Sequence, residues 1–177
     1  MRDNISWKAK WTINEFKDED NEIANLLKNG LTIEQVKQVY PEAFIKEETI
    51  DFNVALNEGL QELINLLCGI SGTAFDDTNA YIGVGDSDTA ADATQTGLQA
   101  AVNKEYKAMD STYPQRSSQT AIWRATYGSA DANFAWNEFT VANGNSDSAV
   151  NLNRKVESKG TKVSGETWTV SLEITFS

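Results

Sequence analysis

Carboxylates are the most abundant side chains of this sequence that could perform acid–base chemistry. The 177 residues include 26 Asp and Glu but no His, so the commonest general base and the Ser–His and Cys–His nucleophile systems are missing. Two carboxylates can hydrolyse a glycosidic bond, and Glu138 with Asp131 or Asp110 is the candidate pair. No spacing distinguishes this pair from the other carboxylates, which in an acidic chain form a solvated face. We therefore predict a protein that is not an enzyme and that holds no cofactor.

Asp86 and Asp88 are the candidate metal ligands. Their carboxylates have the oxygen chemistry that calcium favours, but an EF-hand frame that starts at Asp86 reaches Gly97 where a Glu is required. A shallow, non-EF-hand calcium site therefore stays open, with hydrogen bonds from each Asp to its own turn as the alternative. Cys68 is the only cysteine; it lies beside an apolar helical pattern, and we expect it to fill space in the core.

Two of the five tryptophans could form a platform for sugar binding, because an exposed indole stacks on the face of a pyranose ring. Trp123 and Trp136 are the candidates, since their strands carry mixed neighbours. Asn137 and Glu138 would then bind the sugar hydroxyls of a carbohydrate-binding β-sandwich. Burial of Trp136 between aromatic neighbours would exclude this arrangement.

Charge and composition restrict the partners. The formal net charge of −11, from 15 basic and 26 acidic residues, opposes binding to nucleic acid, which requires cations at the phosphates. No run approaches the roughly 20 apolar residues of a membrane helix, and residues 1–4 begin no apolar signal segment. We expect no nucleic acid or membrane partner, no internal disulfide and synthesis in a cytosol, with release by lysis as the alternative to retention there. Residues 154–162 are locally basic, which suits self-association or docking on an acidic partner, with a solubilising hairpin as the alternative.

The chain begins and ends with predicted strands. At residues 5–16 the apolar side chains alternate onto one face, as do those at residues 167–176. The inner faces are Ile5, Trp7, Ala9, Trp11 and Ile13 in the first strand, and Trp168, Val170, Leu172, Ile174 and Phe176 in the last. Because a loose terminal edge invites aggregation, we expect the last strand to lie between two neighbours.

Two short helices are predicted after the first strand. Residues 19–29 have helical spacing, with Gly30 at the position of a left-handed cap. Thr32 and Gln35 form a capping box for a second helix, which Pro41 ends. With the first strand, this pair predicts an N-terminal arm over residues 1–52.

A longer amphipathic helix is predicted at residues 54–70. Leu56, Leu60, Leu63, Ile64 and Leu67 recur every three or four residues, which indicates an apolar stripe packed on a sheet. The glycine inside this pattern, at position 59, predicts a close approach between the helix and another backbone.

The rest of the chain reads as short strands separated by polar loops. Strands are predicted near residues 80–85, 105–113, 120–127, 134–141, 151–157 and 167–176. Residues 86–97 contain no large apolar side chain, so this loop is exposed or held by a partner. The fold class is mainly β (α+β): an antiparallel β-sandwich or jelly-roll-like body with one packed amphipathic helix and a short N-terminal helical pair.

Residues 53–177 resemble a family of small virion structural proteins encoded by tailed bacteriophages. The segments that carry the resemblance are NAYIGVGDS (79–87), QTGLQAA (95–101), KAMD (107–110), YP (113–114), ANFAWNEF (132–139), LNRKVES (152–158) and GTK (160–162). The resemblance implies a virion protein that is a capsid decoration or cement protein, binding and stabilising the outer head. A tail or head fibre that binds a receptor is the alternative, and a carbohydrate-binding β-sandwich is a second one.

A virion role implies partners and contact residues. The partners would be the major capsid protein or other virion proteins and further copies of this chain, with a trimer preferred; a fibre would add a host-surface glycan. Residues 1–52 are the expected anchor, and residues 53–177 the β-rich virion module. The candidate contact residues are Trp7, Trp11, Leu26, Leu27, Val36, Tyr40, Arg154, Lys155, Lys159 and Lys162.

Overall fold

A computed structural model describes residues 6–177 of the chain. In this part of the chain the helices are α1 (Glu22–Lys28), α2 (Ile33–Val39) and α3 (Asn57–Cys68). The strands are β1 (Trp7–Lys17), β2 (Phe44–Asp51), β3 (Val54–Ala55), β4 (Tyr81–Gly85), β5 (Lys104–Ala108), β6 (Gln115–Ser117), β7 (Thr120–Tyr127), β8 (Glu138–Ala142), β9 (Asn153–Val156) and β10 (Glu166–Phe176). Among these helices, none combines the length and the apolar composition that a membrane crossing requires.

The strands of residues 6–177 form two antiparallel sheets of five strands. The first has the order β2-β1-β10-β7-β6 and the second the order β3-β9-β8-β4-β5. This arrangement confirms the predicted mainly β, sandwich-like body. Two sheets can bury their apolar faces only against each other, so the core lies between them.

The last strand, β10, lies between β1 and β7, as predicted. It pairs with β1 along the whole length of both strands, from Trp7 opposite Phe176 to Lys17 opposite Glu166. Its inner side chains are buried except Phe176, which is 40% exposed and packs edge-on against Trp7 at 5.4 Å between ring centroids. Ile5, which was expected on the inner face of the first strand, lies outside the described residues.

An aromatic cluster around Trp136 fills the centre of the sandwich. Its ring centroid lies 4.8 Å from those of Tyr127 and Trp168 and 6.2 Å from that of Phe139. The indole Nε1 donates to the carbonyl of Ala132 at 2.9 Å, so burying the ring leaves no unpaired donor. This cluster joins strands of both sheets and sets their separation.

β2 was missed by the sequence analysis because it is an edge strand. Along β2 only Ile50 is buried, and Lys46, Glu47 and Glu48 carry charges at the sheet edge. Charges of this kind protect an edge from pairing with another chain, but they hide the alternation that identifies a strand. The short strands β3 and β6 were missed because two or three residues carry no periodicity.

The helical pair formed by α1 and α2 is part of the body. The capping box of Thr32 and Gln35 forms as predicted, and Gly30 has the expected left-handed φ of 98°. At the start of α1, both carboxylate oxygens of Asp18 accept backbone N–H groups. At its end, the guanidinium of Arg124 on β7 donates to the carbonyl of Leu27 at 2.8 Å. The pair is therefore fixed to the first sheet at both ends.

The predicted division at residue 52 does not separate two units. β1 and β2, which precede it, are two of the five strands of the first sheet. The other three strands of that sheet all follow residue 52. Residues 6–52 are therefore required to cover the inner face of the sandwich and do not form an arm that projects from it.

The prediction that the apolar stripe of α3 packs on a sheet holds for only two of its five residues. Leu56 is fully buried and Leu63 packs against the core, whereas Leu60, Ile64 and Leu67 are exposed. The side of α3 that faces the body carries Gly59, Glu62 and the partly buried Leu63, whereas Leu67 is 86% exposed. Cys68, expected in the core, is exposed as well. The physical reason lies in how α3 is held, since hydrogen bonds to Glu58 and Glu62 turn that side of the helix inward.

Candidate docking surface

The basic residues predicted as contacts are mostly engaged inside the chain. Arg154 and Lys162 are fully buried. Lys159 bridges the carboxylates of Glu48 and Glu157 at 3.1 and 2.7 Å. Arg154 and Lys159 are paired with carboxylates of the chain, and Lys162 donates to the carbonyl of Gly128 and to Oδ1 of Asn133, so these three cations are not available to an acidic partner. Lys155 is the most accessible of the four, and its Nζ donates to the carbonyl of Asp51.

Of the six apolar or aromatic residues predicted as contacts, three are buried and three reach the surface. Trp11, Leu27 and Val36 have no exposed surface, so the structure corrects their assignment from contacts to core. Trp7, Leu26 and Tyr40 are half-buried and reach the surface. Tyr40 donates its hydroxyl to Glu22 at 2.6 Å, and the Trp7 indole donates to Asn53 at 3.2 Å.

The candidate catalytic carboxylates do not face a common cleft. Oε2 of Glu138 accepts from Nε of Arg154, and Oδ2 of Asp110 accepts from Nε of Arg124, both at 2.8 Å. Burial raises the pKa of Asp110 above its ordinary value, although Arg124 opposes this shift. Asp131 forms an ion pair with Lys107 on the surface. Each carboxylate therefore has a structural partner inside the chain.

The two candidate metal ligands, Asp86 and Asp88, have different surroundings. Oδ2 of Asp86 accepts from the side-chain amide of Asn103 at 2.7 Å, while Asp88 is exposed on the loop. Within residues 6–177, no three Asp, Glu, Cys or His side chains are close enough together to hold a metal ion. The loop 86–97 is held from within the chain, because Nη1 of Arg154 donates to the carbonyl of Thr89 and to Oε1 of Gln95 at 2.9 Å.

The sugar platform is not formed. Trp136 has no exposed surface and Trp123 is 8% exposed. Trp123 donates its indole N–H to the carbonyl of Phe75, and Glu138 is occupied by Arg154. Neither ring can stack on a pyranose, so the sites proposed for carbohydrate are part of the core.

The apolar face of α3 is the candidate docking surface. Five of the eleven large apolar side chains that are exposed in residues 6–177 lie in and just after this helix. They are Leu60, Ile64, Leu66, Leu67 and Ile70, and we call them the α3 patch. Leu60, Ile64 and Leu67 follow one another at helical spacing along one side of α3. A cluster of this kind on a folded chain marks an interaction site.

Backbone contacts fix α3 with this face outward. A Cβ on Gly59 would lie 2.5 Å from Cα of Leu152, so only glycine permits this approach. One turn earlier, the backbone N–H of Leu56 donates to the carbonyl of Leu152 at 3.2 Å. On the next turn, Glu62 accepts from the backbone N–H of Thr73. The close approach predicted for Gly59 is thus confirmed, and it determines which side of the helix is buried.

A second apolar feature lies at Phe52, between β2 and β3. Phe52 is 80% exposed and has a φ of 63°, which is costly for a residue with a Cβ. It borders a groove of about 470 Å³ that Val54, Ala91 and Val156 also line. The volume is within the usual range of ligand pockets. We call this feature the Phe52 groove.

Neither feature was predicted from the sequence, because the apolar residues of α3 were expected to pack on a sheet and Phe52 belongs to no periodic pattern. Two signals could have revealed the α3 patch. Glu62 lies between apolar positions, on the side of α3 that also carries Gly59. In addition, residues 63–75 contain no charged residue, which is uncommon for a surface segment of a chain with 23% charged residues.

Comparison of the chain with protein-family models, with curated proteins and with solved structures finds no match.

Proposed function

We propose that this chain is a non-enzymatic structural protein of a tailed-bacteriophage virion, and specifically a decoration or cement protein of the outer head. Its partners are the major capsid protein or other virion proteins. The resemblance over residues 53–177 suggests this class. The α3 patch is the observation that carries the proposal, because a decoration protein forms a lattice and requires a surface that another subunit of that lattice covers.

The internal ion pairs support a structural role. Glu138 with Arg154, and Asp110 with Arg124, are buried and join separate segments of the chain. In each pair the guanidinium also donates to backbone carbonyls, of Thr89 and of Leu27 respectively. The charged groups are used to hold the body in one shape. A subunit that repeats over a lattice needs such a rigid body, since its contacts must recur in the same geometry.

The number of exposed apolar features supports decoration in particular. A protein that joins neighbouring capsomers needs more than one contact surface. The chain has the α3 patch on one element and the Phe52 groove on another. Its remaining surface is acidic, with a formal net charge of −11 for the chain, which favours solubility before assembly.

Copy number per virion tests the proposal. Purified particles would be analysed by quantitative mass spectrometry, with the major capsid protein as the internal standard. Decoration predicts a number comparable to that of the capsomers, whereas a count typical of a single tail or fibre would overturn it in favour of that alternative. Heads that lack the protein should also lose thermal stability and regain it when the purified chain is added.

A further inference from the structure

We propose that the α3 patch is the surface through which copies of this chain bind one another, by packing α3 of one copy against α3 of a second. The proposal deepens the structural role above, and it rests on that role for its biological setting. The association itself is a property of the purified chain. It can therefore be measured without particles.

The shape of the patch fits a helix. α3 has 12 residues and is about 18 Å long. Leu60, Ile64 and Leu67 are spaced by four and three residues, so they form a ridge that fits the groove of a second helix. Leu67 is the most exposed residue of the patch, at 86%, so it is the residue whose exposure a partner would reduce most.

The charge pattern favours a second copy as the occupant. Two copies that each carry −11 repel each other wherever carboxylates face carboxylates. Residues 63–75 contain no charged residue. The two carboxylates of α3, those of Glu58 and Glu62, accept backbone N–H groups of Asn151 and Thr73 on the inner side of the helix, so here two copies can approach without that cost. A positively charged partner would be attracted to the acidic parts of the surface. The α3 patch offers such a partner no carboxylate with which to form an ion pair.

The patch is also complementary to itself under twofold symmetry. The proposed contact gives a twofold dimer in place of the trimer expected from the resemblance, and in such a dimer each copy presents the same surface. An antiparallel crossing of the two helices places Ile64 near the axis, with Leu67 of each copy opposite Leu60 of the other. The ridge of one copy then fills the groove beside the ridge of its partner. All three positions carry aliphatic side chains, so the contact between these side chains buries no side-chain hydrogen-bond donor or acceptor.

Sedimentation velocity over a wide range of concentration tests the proposal. The wild-type chain should dissociate reversibly on dilution. Leu67→Glu buries a charge in the contact and should raise the dissociation constant at least about tenfold. The matched control is Val102→Glu, which adds the same charge at a residue that is 83% exposed and should leave the association unchanged. Because Leu67 is 86% exposed, the unfolding curve of Leu67→Glu should match that of the wild type at concentrations where the wild type is dissociated, since association would otherwise stabilise the wild type alone.

Two further measurements define the contact. Mixing Leu67→Glu with Leu60→Lys should restore much of the association, because the antiparallel crossing brings these two positions together. The thiol of Cys68, exposed beside the patch, should react more slowly with a thiol reagent as the concentration of the wild-type chain rises. In Leu67→Glu its reaction rate should not depend on concentration.

A wild-type chain that stays monomeric would overturn the proposal, as would association that Leu67→Glu leaves intact. Failure of the mixed variants to associate would overturn the antiparallel contact. If the chain is monomeric but Leu67→Glu no longer binds heads, the patch faces another virion protein. Copy number per virion does not depend on any of these outcomes, so the two proposals fail separately.

Discussion

Arg154 is fully buried with its Nε 2.8 Å from Oε2 of Glu138. The carboxylate of Glu138 also accepts the backbone N–H groups of Gln99 and Ala100 at 2.9 and 2.7 Å, and the guanidinium continues to the loop 86–97. The pair therefore holds the long polar segment from residue 86 to residue 100 against β8 and β9. Glu138 and Arg154 were both candidates for binding an external partner, but their hydrogen bonds are made to groups within the chain.

Replacing Arg154 by Met should lower the free energy of unfolding by about 3–5 kcal/mol, because it leaves the carboxylate of Glu138 buried without its cation. Denaturant unfolding measures the loss, and amide hydrogen exchange should show reduced protection in the loop 86–97. Lys155→Met is the control, since Lys155 is partly exposed and should change stability by less than about 1 kcal/mol. An equal effect of the two substitutions would contradict this role of Arg154.

Replacing Gly59 by Ala should destabilise the protein by about 2 kcal/mol, although alanine is the better helix former. The added Cβ would lie 2.5 Å from Cα and 2.6 Å from the carbonyl oxygen of Leu152, and backbone atoms cannot move aside like a flexible side chain. The midpoint of thermal unfolding reports the change. Gln61→Ala, on the exposed side of α3, should have an effect within about 0.5 kcal/mol. A neutral Gly59→Ala would mean that α3 is not packed closely on Leu152.

Lys162 should make stability rise with pH above neutrality. It is fully buried, and its Nζ donates to the carbonyl of Gly128 and to Oδ1 of Asn133. Burial lowers the pKa of Lys162 from 10.5 to about 8. Between these two values the unfolded chain binds the proton and the folded chain does not, so the free energy of unfolding increases from pH 8 towards pH 10 by about 1–3 kcal/mol.

Above pH 10 the trend should reverse, because burial raises the pKa of Tyr127 well above 10.0 and the unfolded chain then loses a proton that the folded chain keeps. Denaturant unfolding at a series of pH values measures both limbs. Lys162→Met is the control. The quantity compared is the slope of the free energy of unfolding against pH, not the absolute stability of each protein. If Lys162→Met shows the same rise between pH 8 and 10, the rise does not come from Lys162.

Replacing Phe52 by Asn should stabilise the isolated chain by about 0.5–1 kcal/mol, because asparagine tolerates the left-handed backbone that Phe52 adopts at a φ of 63°. Little packing is lost, since Phe52 is 80% exposed. Unfolding curves test the gain. Thr112→Asn, at another exposed residue with a positive φ of 71°, is the positive control and should also stabilise the chain, for the same reason. A loss of stability would show that the Phe52 ring contributes to the fold.

Removing residues 1–52 should prevent the body from folding, because it removes β1 and β2 and leaves the whole length of β10 without one of its two neighbouring strands. The truncated chain should lack a cooperative unfolding transition, as measured by circular dichroism. Adding a separate peptide of residues 1–52 should restore part of the native signal. A truncated chain that unfolds cooperatively on its own would show that the first sheet does not need these strands.

Several elements of the fold could be predicted from local patterns in the sequence. The alternation in β1 and β10, the capping box of Thr32 and Gln35, and the close approach at Gly59 were all readable, because each depends on residues near one another in the chain. The mainly β class followed from them. The edge strand β2 could not be predicted, because the charged residues in its middle hide the alternation of apolar side chains.

Which polar and apolar groups face inward depends on contacts between distant segments, and no local pattern predicts it. The apolar stripe of α3 and the basic segment 154–162 each suggested, for most of their residues, the opposite placement from the one found. Helical spacing shows that apolar residues share a face but not what that face meets. Leu152 and Asn143, far away in the chain, draw Gly59 and Glu62 inward and so leave Leu67 in solvent. In the same way, buried carbonyls and carboxylates from distant segments surround Arg154 and Lys162, and only folding brings them together.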